Sequence, residues 1–179
     1  DMFDATKVDT SVRLATSVNA HEFITFVKGK ARTEGDTVVA LDPTDQPVTL
    51  LGLMKSVGIP DPEALSVEVL GLMPSPTNTL YRHFDVFSKR RPRGGEATVR
   101  LLKVFLKHRN YQQGKWYAEL VKPVLVRGRD APPHGVATQY TLPILGCMEN
   151  EWEDLARWLD HHELYTDLNR WVIRVPRIA

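Results

Sequence analysis

The pattern of apolar and polar positions predicts a strand, a run of helices, and then a strand–helix–strand unit, which is the order of an α/β protein. Val8 to Leu14 reads as a strand. Asn19 and Glu22 follow with capping-box spacing for a helix that carries Phe23, Phe26 and Val27 on one side. Thr49 is placed to cap a second helix, Leu50 to Val57, which Gly58 ends, and Asp61-Pro62-Glu63 reads as a cap followed by proline at the first helical position. After a break at Pro74-Ser75-Pro76-Thr77-Asn78, the spacing predicts a helix over Glu96 to His108 and another over Gln113 to Val121, ending near Pro123. Gly128 to Gly135, with Pro132 and Pro133 inside it, is a predicted loop. Thr138 to Leu145 is then a strand, Asn150 with Glu153 caps a helix over Glu151 to Leu159, and Arg170 to Val175 is the last strand. No internal repeat or low-complexity tract interrupts this order.

Composition narrows the class without naming a function. The 179 residues, 42% hydrophobic and 25% charged, suffice for a sizeable core, so residues 1 to 179 are expected to form a single domain. The net charge of +1 gives no general attraction to nucleic acid. Cys147, the single cysteine, excludes an internal disulfide and reads as a small buried hydrophobe. No apolar run approaches the roughly 20 residues needed to span a bilayer, and Asp1 to Thr6 does not read as a signal peptide. The expectation is a soluble intracellular protein without a membrane partner, with cytoplasm and mitochondrion not distinguished. Position 1 is not methionine, which favours a processed or truncated chain.

Two features bear on chemistry. Lys89, Arg90, Arg91 and Arg93 form a dense positive cluster, and Arg100, Lys103 and Lys107 continue it at helical spacing. Such arginines suit the phosphate oxygens of a nucleotide or an RNA backbone, although a solvated basic face has the same sequence and no aromatic residue is interleaved for base stacking. The histidines offer no metal site: His161 and His162 are adjacent, and His21, His83, His108 and His134 lie apart without ligand spacing. Trp152, Trp158 and Trp171, like Tyr111, Trp116 and Tyr117, are assigned to packing.

The segment Lys7-Val8-Asp9-Thr10-Ser11-Val12-Arg13-Leu14 resembles the first barrel strand of the AMP deaminases, in which Lys-Val-Asp-Thr is followed by His-x-His. Glu151 to Trp158 and Trp171 to Ile178 resemble the family's later helix and strand. Leu65-Ser66-Val67, Phe84-Asp85-Val86-Phe87 and Gly95-Glu96 fall between them in family order. The resemblance implies a closed barrel of eight parallel strands, of which only about three can be placed here, together with several crossover helices. The expected fold is therefore α/β, a partial, incomplete TIM-barrel-like fold, with a protein partner or further polypeptide covering it.

The resemblance also implies zinc-activated water attacking the purine carbon that bears the amino group. Ser11 and Arg13, however, stand at the two histidine positions. A serine hydroxyl is a poor zinc ligand and a guanidinium repels the ion, so these are degenerate metal positions, with no metal, no cofactor and no catalytic residue expected in this chain. The family's phosphate-contacting loop, Lys-Phe-Asn-x-Lys-Tyr, corresponds to Val86-Phe87-Ser88-Lys89-Arg90-Arg91, with Val86 at its first lysine and Arg90 at its second. Three functions are consistent with these residues. The first is an inactive AMP-deaminase-like domain that serves as a structural or regulatory component of an assembly. The second is a segment of a longer AMP deaminase converting AMP to IMP and ammonia. The third is a component of a ribonucleoprotein that binds RNA or another polyanion through Lys89 to Arg93.

Overall fold

The computed structural model describes residues 8–70, 95–127, 137–144, 146, 148–166 and 169–175. These fall into two compact units, one formed by Asn19–Tyr117 and one by Asp1–Val18 together with Ala118–Ala179. The architecture is α/β, as the sequence pattern predicts, and its three long strands form a parallel sheet, as the family resemblance implies. The breaks predicted around Pro74–Asn78 and Gly128–Gly135, and Cys147, lie outside the described residues.

In the first unit, Asn19 caps helix α1 (Ala20–Thr33) by accepting the Glu22 N–H at 2.8 Å, and the helix buries Phe23, Ile24, Val27 and Ala31. A short antiparallel hairpin follows, β2 (Val38–Leu41) and β3 (Pro47–Thr49). Its turn is organised by the Asp42 carboxylate, which accepts the backbone N–H groups of Thr44 at 2.8 Å and Gln46 at 2.9 Å. Thr49 then caps helix α2 (Leu50–Ser56) through the Gly52 N–H. Gly58, at φ +84°, reverses the chain beyond the helix, in the left-handed conformation that glycine adopts without a Cβ clash. Asp61-Pro62-Glu63 does form the predicted cap, but over a single 3₁₀ turn, Pro62–Ala64.

Helix α3 (Gly95–Leu106) completes this core with Leu101, Leu102, Val104 and Phe105. Asn110 joins it to the next helix. Its amide donates to the Val104 and Lys107 carbonyls at 2.7 and 2.9 Å, while its carbonyl accepts from the Gln112 and Gly114 N–H groups. Phe105 packs edge-on against Phe23 and Phe26 and stacks on the fully buried Trp116 with ring centroids 5.1 Å apart.

The Trp116 indole N–H donates to Glu34 at 3.2 Å, and Glu34 also meets Lys115 at 3.4 Å and Lys30 one turn back on α1. The Lys30 hydrogen bond, opposed in part by burial and aided by Trp116, holds the Glu34 carboxyl below its ordinary value of 4.5. A folded-state pKa below the unfolded one stabilises the fold above the unfolded value, and that contribution disappears as pH falls through the folded value. Acidification below about pH 4.5 should therefore destabilise this unit more than it does a Glu34→Gln variant. Acid titrations of the two proteins followed by circular dichroism check this, and parallel curves would remove Glu34 from the acid response.

The second unit is built on the parallel sheet of β1 (Val8–Arg13), β4 (Ala137–Pro143) and β5 (Asn169–Arg174), in the order β1-β4-β5. A 3₁₀ turn, Leu14–Thr16, leaves β1, with Leu14 fully buried. Helix α4 (Lys115–Arg127) runs through Pro123 and does not stop there. Proline removes one N–H from the ladder, but Leu120, Val121 and Leu125 are buried on either side of it, and that burial outweighs one hydrogen bond. Helix α5 (Glu151–His161) lies between β4 and β5 in sequence and buries Leu155, Trp158 and Leu159. Its predicted Asn150 side-chain cap does not form. Asn150 adopts a left-handed conformation (φ +58°), and the buried Glu151 carboxylate instead accepts the Gly146 N–H at 2.8 Å.

Candidate functional site

Strand β1 carries Ser11 and Arg13, the two residues that the family resemblance sets against the His-x-His pair, and it is not regular. Asp9 pairs with Thr138 and Val12 with Tyr140, so β1 spends one residue more than β4 over this interval, which is a β-bulge at Thr10 and Ser11. Ser11 has φ +60°, a left-handed conformation uncommon for a residue with a Cβ, and its N–H reaches the Gln139 side-chain oxygen at 3.4 Å. Ser11 is exposed and Arg13 half-buried.

Strand alternation together with this register sorts the side chains onto two faces. One carries Tyr140 and Leu142, both buried, with Trp171 and Ile173 beside them on β5. Asp9, Thr138 and Asn169 lie at its polar end. Burial raises the Tyr140 phenol pKa, the nearby Asp9 charge adds to that, and a hydrogen bond with Thr138 acts against it. The other face carries Gln139, Thr141 and Val172, with Arg13, Arg170 and Arg174, and its β5 residues are exposed. The bulge sets this division. On an unbroken strand Asp9 and Arg13 would share a face, but here Asp9 aligns with Thr138 and Arg13 with Thr141.

Among the described residues, no group of three or more His, Cys, Asp or Glu side chains could hold a metal ion. The zinc implied by the family resemblance does not fit the residues present on β1, where a hydroxyl and a guanidinium stand in place of two imidazoles. His161 and His162 pack ring to ring at 4.8 Å, and burial, followed by the neighbouring His161 charge, lowers the His162 pKa.

The predicted phosphate-binding cluster, Lys89, Arg90, Arg91 and Arg93, lies outside the described residues, as do Val86 and the rest of that loop. Its expected continuation, Arg100, Lys103 and Lys107, is exposed on and just beyond α3. Sequence reasoning did not place Arg170 and Arg174 on the sheet face that carries Arg13. Their signal was the spacing Arg170-x-Val172-x-Arg174, which places both on one face of a strand. Among the described residues, no helix is long and apolar enough to cross a membrane.

Comparison with known proteins agrees with the resemblance seen in the motifs. A family model described as AMP deaminase matches residues 1–179. The chain is 32% identical over 178 residues to an AMP deaminase of Dictyostelium discoideum, covering 99% of this chain and 22% of that protein. It is 33% identical over 181 residues to AMP deaminase 3 of Mus musculus, covering 99% of this chain and 22% of that protein. It is 28% identical over 178 residues to an AMP deaminase of Saccharomyces cerevisiae, with 99% of this chain and 21% of that protein covered. The chain thus spans about a fifth of the length of the curated relatives it matches. A match along the whole chain, together with parallel strands in the order a barrel of this kind would give them, leads to one conclusion: the chain belongs to the AMP deaminase family.

Proposed function

We propose that this chain is a segment of a longer AMP-deaminase-type protein that converts AMP and water to IMP and ammonia. In this reading the segment supplies opening strands of the barrel but no zinc ligand. The observation that carries the proposal is the match along the whole chain to deaminases of which it covers about a fifth. Polypeptide outside residues 1–179 then provides the metal ligands and the acid/base residues, and packs against the outer edges of β1 and β5. Neither edge has a strand neighbour among the described residues.

A second reading has a specific observation in its favour. Ser11 and Arg13 remove two ligands at once, and Arg13 adds a fixed positive charge where a cation would have to bind. On this reading the protein is an inactive relative that persists as a structural or regulatory component.

One experiment separates the two. The natural polypeptide carrying this chain is purified, its zinc measured by elemental analysis, and ammonia release from AMP followed. Stoichiometric zinc with turnover establishes the deaminase and sinks the inactive reading. A metal-free protein that releases no ammonia does the opposite, sinking the deaminase and establishing the inactive relative.

A further inference from the structure

We propose that the end of helix α5 is a pH-sensitive latch, in which the Lys122 ammonium of α4 clamps a left-handed cap that the His161–His162 pair releases on taking up protons. The chain leaves α5 with Glu163 at φ +52°. In that conformation the Glu163 N–H donates to the Asp160 carbonyl at 3.0 Å and the Leu164 N–H to the Leu159 carbonyl at 3.0 Å. These two bonds close the helix end, and Leu164 is fully buried. Glycine takes this backbone conformation freely, whereas glutamate carries a Cβ and takes it at a cost. The closed cap is therefore marginal, and a residue of the neighbouring helix holds it. Lys122 donates to the His162 carbonyl at 3.2 Å and to the Glu163 carboxylate at 3.3 Å, all within the unit that contains Ala118–Ala179.

The two histidines sit against this clamp. Their rings meet at 4.8 Å and 79°, and the Trp158 ring lies edge-on to His162 at 6.2 Å. An imidazolium at a helix C-terminus is ordinarily favoured by the unpaired carbonyls there. Here an ammonium already occupies the His162 carbonyl, so a proton on either ring adds charge beside a cation in place. Two unit charges about 4 Å apart disfavour double protonation roughly fivefold in water, and more where water is partly excluded.

The charged groups around His162 are Glu119 and Lys122 of α4 together with His161, and Asp160 and Glu163 adjoin it in sequence. Burial is the largest cause of its lowered pKa. The His161 charge comes next, Glu119 opposes it, and Lys122 adds to the lowering. With the folded-state pKa below the ordinary 6.5, the open form takes the proton more readily. The contribution to the closed cap is thus complete above 6.5 and is lost as pH falls below it. Opening uncovers Leu164 just ahead of β5, so the latch couples acidity to the seating of that strand.

The test is site-resolved amide hydrogen exchange of the natural polypeptide carrying this chain at about pH 7.5 and about pH 5.5, the range in which imidazoles change charge. Rates corrected for the intrinsic pH dependence of exchange give the opening equilibrium. Protection of the Leu164 amide should fall about fivefold or more at the lower pH, while that of Leu155 within α5 stays unchanged. A His161→Gln/His162→Gln variant should keep the Leu164 protection at both pH values. Lys122→Met, which retains an apolar stem, should lower it already at the higher pH. Circular dichroism checks that each variant is folded. If the double variant unfolds, His161→Gln alone decides, since that ring is exposed: a reduced pH response supports the latch and an undiminished one overturns it. Equal Leu164 protection at the two pH values in the parent, a loss that persists undiminished in the double variant, or a Lys122→Met protein that exchanges like the parent also overturns the proposal.

Discussion

Replacing Trp116 with alanine will destabilise the Asn19–Tyr117 unit by about 3–5 kcal/mol. The indole is fully buried, stacks on Phe105, lies under the Lys30 ammonium at 5.6 Å and donates to Glu34. Truncation would open a cavity and remove a donor from Glu34 at the same time, and neither loss can be repaired by rotating a neighbour. Hydrogen exchange of the α1 and α3 amides should accelerate roughly a hundredfold or more. Trp116→Phe separates the contributions, since it keeps the stack and gives up the hydrogen bond, at a cost nearer about 1 kcal/mol. If the alanine variant exchanges at the parent's rate, the core of this unit is not organised around Phe105 and Trp116.

The second large effect is expected at Gly35. A Cβ built on this residue would lie 2.4 Å from the Ala31 carbonyl oxygen and 2.8 Å from two carbons of Leu51. Leu51 can shift, but the carbonyl belongs to the last turn of α1 and cannot move without it. Gly35→Ala should therefore cost about 3 kcal/mol, at the upper end of overpacking penalties. Gly29, inside α1 where Gly35 lies just beyond it, gives the opposite sign. Nothing lies within 4 Å of its added Cβ, and alanine is the better helix former, so Gly29→Ala should stabilise by a few tenths of a kcal/mol to about 1 kcal/mol. The pair is read from α1 amide exchange in both variants, and equal shifts of the same sign would refute the packing assigned to residue 35.

These sites illustrate what the residue order makes legible. Asn19, Thr49 and Asp61 are caps because short polar side chains reach the first N–H groups of a helical turn, and each does so as expected. The three strands of the main sheet are legible from apolar runs bounded by polar and turn residues, and their parallel direction from the family resemblance. The β2–β3 hairpin was not foreseen, since its strands are only four and three residues long, below the length at which alternation is a signal. Its trace lies in Asp42-Pro43-Thr44-Asp45, a turn-forming run whose first carboxylate does organise the hairpin. Pro123 misled because a local rule about helix ends was overridden by burial of its neighbours, and Asn150 because the acid beside it satisfies a nearby backbone N–H. For the candidate site, the residue types at 11 and 13 are read directly from the sequence. That Arg13 joins Arg170 and Arg174 on one face depends on the register across three strands and on one extra residue in β1, which no local spacing encodes.

The long return of β4 to β1 also orders events in time. The contact between Ser11 and Gln139 spans 128 residues, so β1 leaves the ribosome well before the strand it pairs with exists. The Asn19–Tyr117 unit is continuous in sequence and can close while synthesis proceeds, whereas the sheet unit is made of two stretches and must wait for the second. During that interval β1 is an unpaired strand tethered to a folded neighbour, and closing so long a loop costs entropy that only the completed sheet returns. Its polar run, Asp9-Thr10-Ser11 followed by Arg13, is what a nascent edge needs to stay out of unwanted pairings. The same polar residues that interrupt the strand with a bulge in the finished protein thus serve as gatekeepers while it is being made.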